Sequence, residues 1–285
     1  MATPHSKARR TCLTATLACA LAPAQVLARN KVVRFGLTPV LLDDRVRLLS
    51  SWSRQLESAV GHAIEFVPYS AYNQVMDALQ SRQLDFAWIC GYPYVLHQHE
   101  LSLVSVPVWR GKPLYQSYLI ADAGSGLASV EDLRGRTFAY SDPLSNSGFL
   151  YVQHLLRQRG VDPSRYFGRS FFTYSHRQVV EAVSRGLATA GAVDGYVWEV
   201  LAELYPQLTA HTRVILRSPY FGFPPIIAPR STPPALVRRF AAALHDMSSQ
   251  REGQQVLGEL RLDGFAEPTP GLFASIADMA RGQKG

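Results

Sequence analysis

The chain has 285 residues, a formal net charge of +7 and 18% charged residues, so it is only mildly basic. Its length is sufficient for two lobes of ordinary size. Three of the basic residues, Lys7, Arg9 and Arg10, lie together near the N-terminus, and no dense basic cluster follows them. These features argue against nucleic acid as a partner.

The N-terminal region has the layout of an export signal. An uncharged run over residues 11–28 follows the basic residues and is too short to span a bilayer as a helix. We predict a signal peptide over residues 1–28, cleaved after Ala28, with a second small-residue site ending at Ala24. The mature chain is therefore expected in the periplasm, without a membrane span.

The positions of the three cysteines agree with export. Cys12 and Cys19 lie in the predicted leader, so the mature chain keeps only Cys90. A disulfide framework is excluded, and Cys90 is expected as an unpaired thiol in an oxidising compartment.

After the leader, strands and helices alternate. Val46, Leu49, Trp52, Leu56 and Val60 recur at helical spacing before a stop at a glycine. The first half of the chain predicts three strands and two helices, in the order KVVRFGLTPV, DDRVRLLSSWSRQLESAVG, AIEFVPY, AYNQVMDALQSR and DFAWIC. The pattern then restarts with RTFAYSD, SGFLYVQHLLRQRG, SFFTYS, SHRQVVEAVSRG and AGAVDG. Such alternation is typical of parallel sheets covered by helices on both faces.

Two segments of the chain repeat each other. AYNQVMDALQSRQLDFAWICG (71–91) and SHRQVVEAVSRGLATAGAVDG (175–195) align without gaps at a shift of 104 residues. They share a Gln, the following Val, an acid, an Ala and the final Gly. We infer that one strand and helix arrangement is used twice.

The repeat also pairs residues that carry chemistry. Tyr72 corresponds to His176 at a helix start, and Cys90 corresponds to Asp194 at a strand end. Ligands of open α/β sheets bind beyond the carboxyl ends of the strands. We therefore predict that these four side chains face a common cleft between two lobes.

Extended runs on either side of the second half indicate two hinge strands. They are PLYQSYLIADAGSG and TRVILRSPYFGFPPIIAPR, and helices in PPALVRRFAAALHDM and QREGQQVLGEL follow the second run. We predict an α/β protein in which each lobe is a mixed, mainly parallel sheet flanked by helices. Residues 29–116 and 215–285 would form lobe 1, and residues 117–214 would form lobe 2.

A cluster of small polar side chains stands before a predicted helix in SDPLSNSGFLYVQHLL. Ser145, Asn146 and Ser147 precede Gly148. The first turn of a helix presents unpaired backbone N–H groups that suit an anion, and the serines add hydroxyl donors. An ordinary helix cap is the alternative. Three consecutive donors exceed what one cap requires, which favours an oxyanion site.

The segments DPLSNSGFL, YSHRQVVEAV, AVDGYVWE and SPYFGFPPII resemble the phosphonate, phosphite and phosphate binding proteins of bacterial ABC transporters. This family is a branch of the type II periplasmic binding fold, and the resemblance covers roughly the whole mature chain. It implies that Ser145, Asn146 and Ser147 grip the oxyanion and that Tyr72 and His176 add donors. Closure would trap the ligand for an ABC permease. A monomer without metal or cofactor is expected.

The chain departs from the family's phosphonate-binding member at two places. That member has a Tyr after the strand-ending Trp, where this chain has Ile89 and Cys90. It also has a Glu after the His to take the ligand's amine, where this chain has Arg177. An amine on the ligand is therefore not expected. Asp194 either accepts from a protonated ligand oxygen or holds His176, and the sequence leaves both open.

Cys90 allows three interpretations. A cysteine after an apolar run is often core filler. Members of the same family that sense arsenite rely on a cysteine, so an arsenite sensor that signals through a membrane histidine kinase is one alternative. An enzyme with Cys90 as nucleophile, a hydrolase or a transferase of the same fold, is another. G-x-S-x-G, H-E-x-x-H and P-loop motifs are absent, which favours a protein that is not an enzyme.

Overall fold

The computed structural model describes residues 1–2, 32–38 and 46–283. Apart from its first two residues, the predicted signal peptide lies outside the described residues, as does its cleavage site. The chain divides into Met1–Asn30 and Lys31–Gly285, and the fold below is that of the second part. No helix among the described residues is long and apolar enough to cross a membrane.

Strands and helices follow one another largely as predicted. The first part contains β1 (Val33–Leu37), α1 (Val46–Val60), β2 (Ile64–Pro68), α2 (Tyr72–Gln80), β3 (Phe86–Trp88), α3 (Gly91–Leu96) and β4 (Leu101–Val108). The middle contains β5 (Leu114–Tyr115), β6 (Ser117–Asp122), β7 (Thr137–Tyr140), α4 (Tyr151–Gln158), β8 (Arg169–Phe172), α5 (His176–Ser184), β9 (Ala190–Asp194), α6 (Gly195–Leu204), α7 (Pro206–Thr209) and β10 (Thr212–Arg217). The last part contains β11 (Phe221–Gly222), β12 (Ile226–Pro229), α8 (Pro234–His245), α9 (Arg251–Leu260), β13 (Gly264–Ala266) and α10 (Ala274–Arg281). A π-helical turn over Asn146–Leu150 leads into α4.

Two sheets organise these elements. One has the strand order β13-β4-β12-β3-β1-β2, and the part of the protein built on it is called lobe 1. The other has the order β10-β6-β9-β7-β8, and the part built on it is called lobe 2. Helices pack against both sheets, so the predicted α/β class is confirmed.

Both sheets are mixed, as predicted, but they contain more antiparallel pairs than the mainly parallel sheets that the sequence indicates. In lobe 1, β1 pairs in parallel with β2 and β3, whereas β12 and β13 add antiparallel pairs. In lobe 2, β7 pairs in parallel with β8 and β9, whereas β6 and β10 are antiparallel to their neighbours. The antiparallel strands lie next to the crossings between lobes or near the C-terminus. Periodicity within βαβ units carries no information about them.

The two predicted hinge strands pair with each other. The chain passes from β4 to β6 through β5 and from β10 to β12 through β11, and β5 and β11 form a small antiparallel sheet. Beside it, the backbone amide of Ser117 donates to Ser218 Oγ at 2.8 Å, and the amide of Ser218 donates to the Ser117 carbonyl at 2.9 Å. The two segments that pass between the lobes are thus hydrogen-bonded to each other, an arrangement that suits a hinge.

Helix α1 buries a stripe shifted from the one that the sequence pattern indicates. Trp52, Leu56 and Val60 are buried as predicted, and Trp52 packs edge-on against Phe35 at 5.6 Å between ring centroids. Val46 is exposed at the start of the helix. The buried stripe runs through Leu48 and Gln55 instead of Val46 and Leu49.

The internal repeat is reproduced in the backbone. Helices α2 and α5 each have nine residues and begin at equivalent positions. After each helix the chain makes the same turn, with Gln83 N donating to Ala78 O and Leu187 N donating to Ala182 O, both at 2.8 Å. Each turn has one left-handed residue, which is Gly186 in one copy and Arg82 in the other.

Candidate functional site

The repeat brings several helix N-termini to one place. Tyr72 is the first residue of α2 and His176 is the first residue of α5. Cys90 directly precedes α3, and Asp194 directly precedes α6. Asp194 ends its parallel strand and the other three follow theirs, so all four lie at the carboxyl ends of strands in the two lobes, where ligands of such sheets bind.

All seven residues predicted for the site are buried, with at most 4% of their surface exposed. They are Tyr72, Cys90, Ser145, Asn146, Ser147, His176 and Asp194. Contacts between lobes join several of them. The site is therefore enclosed by both lobes in this structure.

Tyr72 and His176 meet across the lobes. The Tyr72 hydroxyl lies 3.4 Å from His176 Nε2, and His176 Nδ1 accepts a hydrogen bond from the backbone amide of Asp194 at 3.0 Å. Burial lowers the pKa of His176 to about 3, so the ring is neutral. Because Nδ1 is an acceptor, the ring proton is on Nε2 and faces the Tyr72 hydroxyl. The hydroxyl can then donate its own proton to a ligand.

Cys90 lies in the same site. Its Sγ accepts from the backbone amide of Asn146 at 3.2 Å, a contact from lobe 1 to lobe 2. Burial raises the pKa of the thiol to about 11, and the amides of Tyr92 and Asn146 only partly offset this. The thiol is therefore protonated at neutral pH. A protonated thiol is a poor nucleophile and a poor soft-metal ligand.

Ser145 serves as a helix cap. Its Oγ accepts from the amide of Gly148 at 2.9 Å, and its hydroxyl proton stays free to donate. Gly148 is required here because a Cβ would overlap the Ser141 hydroxyl. Ser145 therefore caps this turn, and this role is compatible with donation from its hydroxyl group to a ligand.

Tyr115 is a buried residue of the site that sequence reasoning missed. Its hydroxyl accepts from Asn146 Nδ2 at 3.0 Å, and it also lies close enough to Cys90 to lower the pKa of that thiol. Tyr115 is on β5, in one of the two segments predicted as hinge strands. A single tyrosine in an extended run has no local signal that would mark it.

Three buried polar atoms beside these groups have no hydrogen-bond partner of good geometry in the described part of the protein. They are Asn146 Oδ1, Ser147 Oγ and Ser141 Oγ. Of these, Ser147 lies close enough to the Tyr115 hydroxyl to lower the pKa of that tyrosine. Leaving such a group unpaired costs about 1–3 kcal/mol. A ligand with both donor and acceptor oxygens would satisfy them.

Two buried carboxyl groups adjoin the site. Asp194 Oδ1 accepts from the amides of Tyr196 at 2.8 Å and Val197 at 3.4 Å, and burial raises its pKa to about 7. The amide of Asp194, rather than its carboxyl group, holds His176. Asp142, which the sequence reasoning also missed, is buried with a raised pKa.

Among the residues that the structure describes, no Lys or Arg forms a hydrogen bond or ion pair with these side chains. Arg177, which follows His176, pairs with Glu181 at 3.1 Å and lies over the Tyr205 ring at 4.9 Å. The described residues contain no group of three His, Cys, Asp or Glu that could hold a metal ion. The groups that these described residues offer to an anion are neutral donors and helix N-termini.

A groove of about 410 Å³ lies outside the site, between the lobes. Tyr69 and Ser70 line it from lobe 1, and Tyr174 and Ser175 line it from lobe 2. Tyr174 is half exposed and has a left-handed backbone with φ of 61°. These residues directly precede the helices that carry Tyr72 and His176, so the groove marks the rim of the cleft.

Two α/β lobes joined by two strands, with polar groups at the facing strand ends, define a solute-binding protein of the periplasmic type. The model of a family described as "ABC transporter, phosphonate, periplasmic substrate-binding protein" matches residues 35–272. The chain therefore belongs to this family, which consists of periplasmic solute-binding components of ABC transporters rather than enzymes. Its members bind a small ligand and work with a permease.

Individual relatives are distant and match between about a third and two thirds of the chain. A probable ABC transporter phosphite binding protein, PhnD1 of Prochlorococcus marinus, is 23% identical over 210 residues, which are 69% of either chain. The phosphate-import protein PhnD of Mycolicibacterium smegmatis is 30% identical over 114 residues, 38% of this chain and 36% of its own.

Solved structures confirm the two-lobed fold. The binding protein component of an ABC phosphonate transporter from Pseudomonas aeruginosa is similar with a TM-score of 0.81 and 20% identity, over 90% of this chain and 87% of its own. PhnD1 of Prochlorococcus marinus in complex with methylphosphonate also has a TM-score of 0.81, with 18% identity over 90% of this chain and 99% of its own.

Proposed function

We propose that this chain is an exported binding protein that traps a small oxyanion of the phosphonate, phosphite or phosphate type between its lobes for an ABC importer. The observation that carries this proposal is the set of unpaired buried polar atoms on Ser141, Asn146 and Ser147, beside converging helix N-termini. The names of the relatives agree with it, since they mention phosphite, phosphate and methylphosphonate.

Each side chain has a distinct part in this proposal. The Tyr72 hydroxyl donates to the ligand while His176 Nε2 orients it. Ser145 and Ser147 donate through their hydroxyls. Asn146 Oδ1 accepts from a protonated ligand oxygen.

The described residues of the proposed site offer an anion neutral donors, and Asp194 is a nearby carboxyl group that could repel it. Burial keeps Asp194 protonated up to about pH 7, so its carboxyl group does not repel the ligand at or below that pH. A neutral carboxyl group also donates a hydrogen bond. We expect affinity for a phosphorus oxyanion to fall above pH 7 as Asp194 ionises.

The transport function is favoured over arsenite sensing and catalysis, the two alternatives that use Cys90. Arsenite sensing and covalent catalysis both use a thiolate, and burial opposes its formation in this site. Cys90 is better suited to face the part of the ligand that lacks an ionised oxygen, such as P–H or P–CH₃. The sensor kinase therefore remains the less supported partner.

Calorimetry with methylphosphonate, phosphite, phosphate, arsenite and sulfate tests the proposal. We expect at least one of the three phosphorus oxyanions to bind and to raise the melting temperature, because a ligand of the folded state stabilises it. Ser147→Ala should weaken binding about tenfold by removing one donor. Ser125→Ala, at an exposed serine, is the matched control.

Failure of all three phosphorus oxyanions to bind would refute the proposal. Arsenite binding that Cys90→Ser abolishes would favour the sensing function instead. Export is tested separately, by N-terminal sequencing of the protein recovered from the periplasm. Cleavage after Ala28 is expected, and size-exclusion chromatography of the product should show a monomer.

A further inference from the structure

Asp142 joins the two lobes. It follows β7 in lobe 2, and only 2% of its surface is exposed. Its Oδ1 accepts from the backbone amide of Leu144 at 2.8 Å, inside its own turn. Its Oδ2 accepts from the backbone amide of Tyr72 at 3.1 Å, at the start of α2 in lobe 1. A carboxyl group of one lobe therefore caps a helix of the other.

Helix α2 has no side-chain cap from its own lobe. Ala71 occupies the cap position, and its methyl group cannot accept a hydrogen bond. The first amides of a helix need an acceptor, and the helix dipole favours a carboxylate there. Asp142 supplies that acceptor only when the lobes are together.

Lobe 2 thus contacts Tyr72 at both its backbone amide and its side-chain hydroxyl group. Its amide donates to Asp142, and its hydroxyl lies 3.4 Å from His176 Nε2. The first contact fixes where α2 begins, and the second fixes where the hydroxyl points. A shift of α2 on loss of the first contact would move the hydroxyl away from the ligand position.

We propose that Asp142 is a positioning residue that orients Tyr72 and favours the closed form of the protein. This inference rests on the proposed function, because it needs the ligand to bind between the lobes. Opening separates the carboxyl group from the Tyr72 amide. A ligand that binds only the closed form gains affinity in proportion to the population of that form. Asp142 therefore raises affinity without contacting the ligand.

Substitution of Asp142 tests this role, with methylphosphonate as probe. Asp142→Ala should weaken binding about tenfold or more, mainly through faster dissociation, since a buried hydrogen bond between the lobes is lost from the closed form. Asp142→Asn should restore much of the affinity, because its amide oxygen still accepts from the Tyr72 amide. Asp162→Ala is the matched control, since Asp162 accepts from the Ser164 amide inside an exposed turn of lobe 2.

The dissociation rate separates positioning from simple structural support. We expect Asp142→Ala to lower the melting temperature of the ligand-free protein, because the buried amides of Leu144 and Tyr72 lose their acceptor, and Asp142→Asn to keep most of it. An unchanged affinity in Asp142→Ala would overturn the proposal. So would an affinity loss that the Asn variant does not relieve at all.

A second measurement does not depend on a ligand. If the wild type binds none of methylphosphonate, phosphite and phosphate, the proposed function fails, and small-angle X-ray scattering of the ligand-free proteins then decides the role of Asp142. A larger radius of gyration for Asp142→Ala than for the wild type would support the proposal that the hydrogen bond from the Tyr72 amide to Asp142 favours the closed form. Equal radii of gyration would overturn it.

Discussion

Asp194→Asn should change how the stability of the protein depends on pH. The carboxyl group is buried and its pKa rises from an ordinary value of 3.8 to about 7. Between these pH values the folded protein keeps a proton that the unfolded chain releases. The stabilising contribution of the protonated group is complete below pH 3.8 and is lost as pH rises to about 7.

The size of the effect follows from the pKa difference. A pKa difference of one unit corresponds to about 1.4 kcal/mol, so Asp194 loses roughly 4 kcal/mol of stability across this window. Asn cannot ionise, and its Oδ1 can still cap α6 through the amides of Tyr196 and Val197. We expect the variant to match the wild type near pH 4 and to exceed it above pH 6.

His176 makes stability depend on pH in the opposite direction, and the Asp194→Asn variant should reveal this dependence. Its pKa falls from 6.5 to about 3, so the unfolded chain takes up a proton below pH 6.5 that the folded protein excludes. Stability from this residue therefore falls as pH is lowered through that range. In the wild type the two slopes oppose each other between about pH 4 and 6.5. In Asp194→Asn, stability should rise with pH over that interval relative to the wild type.

Urea unfolding of the ligand-free protein, followed by tryptophan fluorescence in phosphate-free buffers from pH 4 to 8, measures both slopes. Asp142 also has a raised pKa, but it is present in both proteins and cancels in the comparison. Asp162→Asn is the control, because hydrogen bonds from Ser164 lower the pKa of that exposed carboxyl group. A difference between Asp194→Asn and wild type that stays constant from pH 4 to 7 would refute the assignment of a protonated Asp194.

Two further predictions concern Arg82 and Cys90. Arg82→Gly should stabilise the protein by about 0.5–1 kcal/mol in thermal or urea unfolding, because Arg82 has a left-handed backbone at the place where the repeat has Gly186. The reverse change, Gly186→Arg, should destabilise it, although an added Cβ there meets no atom within 4 Å. In protein without residues 1–28, Cys90 is the only cysteine, and iodoacetamide should label it in the unfolded chain but not in the folded, ligand-saturated protein at pH 7.5. Rapid labelling of the folded form would instead indicate a reactive thiolate.

The elements that the sequence predicts well are those with a local pattern. The helix over Val46–Val60 follows from hydrophobic spacing, and the turn before α4 follows from its Pro, Gly and serines. The repeat allows a similar prediction for two segments that are 104 residues apart in the sequence. It predicts that Tyr72 and His176 face the same gap, because they begin equivalent helices, and the two side chains lie 3.4 Å apart.

The features that sequence reasoning missed depend on contacts between distant segments. Tyr115 is in the two-residue strand β5, which is too short to show a pattern. The interaction of Asp142 with the opposite lobe is seen only in its hydrogen bond from the Tyr72 amide. The antiparallel pairs of β12 and β13 likewise depend on where the chain returns to lobe 1. No periodic pattern within the segments themselves records these pairings.

The repeat also explains how a symmetric backbone can suit an asymmetric ligand. Its two copies aim equivalent helix N-termini at one site, which supplies the positive dipole ends that an anion needs. The side chains at the equivalent positions differ, with Cys90 opposite a carboxyl group on Asp194 and Tyr72 opposite the ring of His176. On lobe 1 the site therefore has a weakly polar thiol beside the Tyr72 hydroxyl, and on lobe 2 it has a carboxyl group beside the His176 ring. Under the proposed function, we expect a tetrahedral anion with one substituent other than oxygen, such as phosphite or a small phosphonate, to suit this difference better than a symmetric anion such as sulfate.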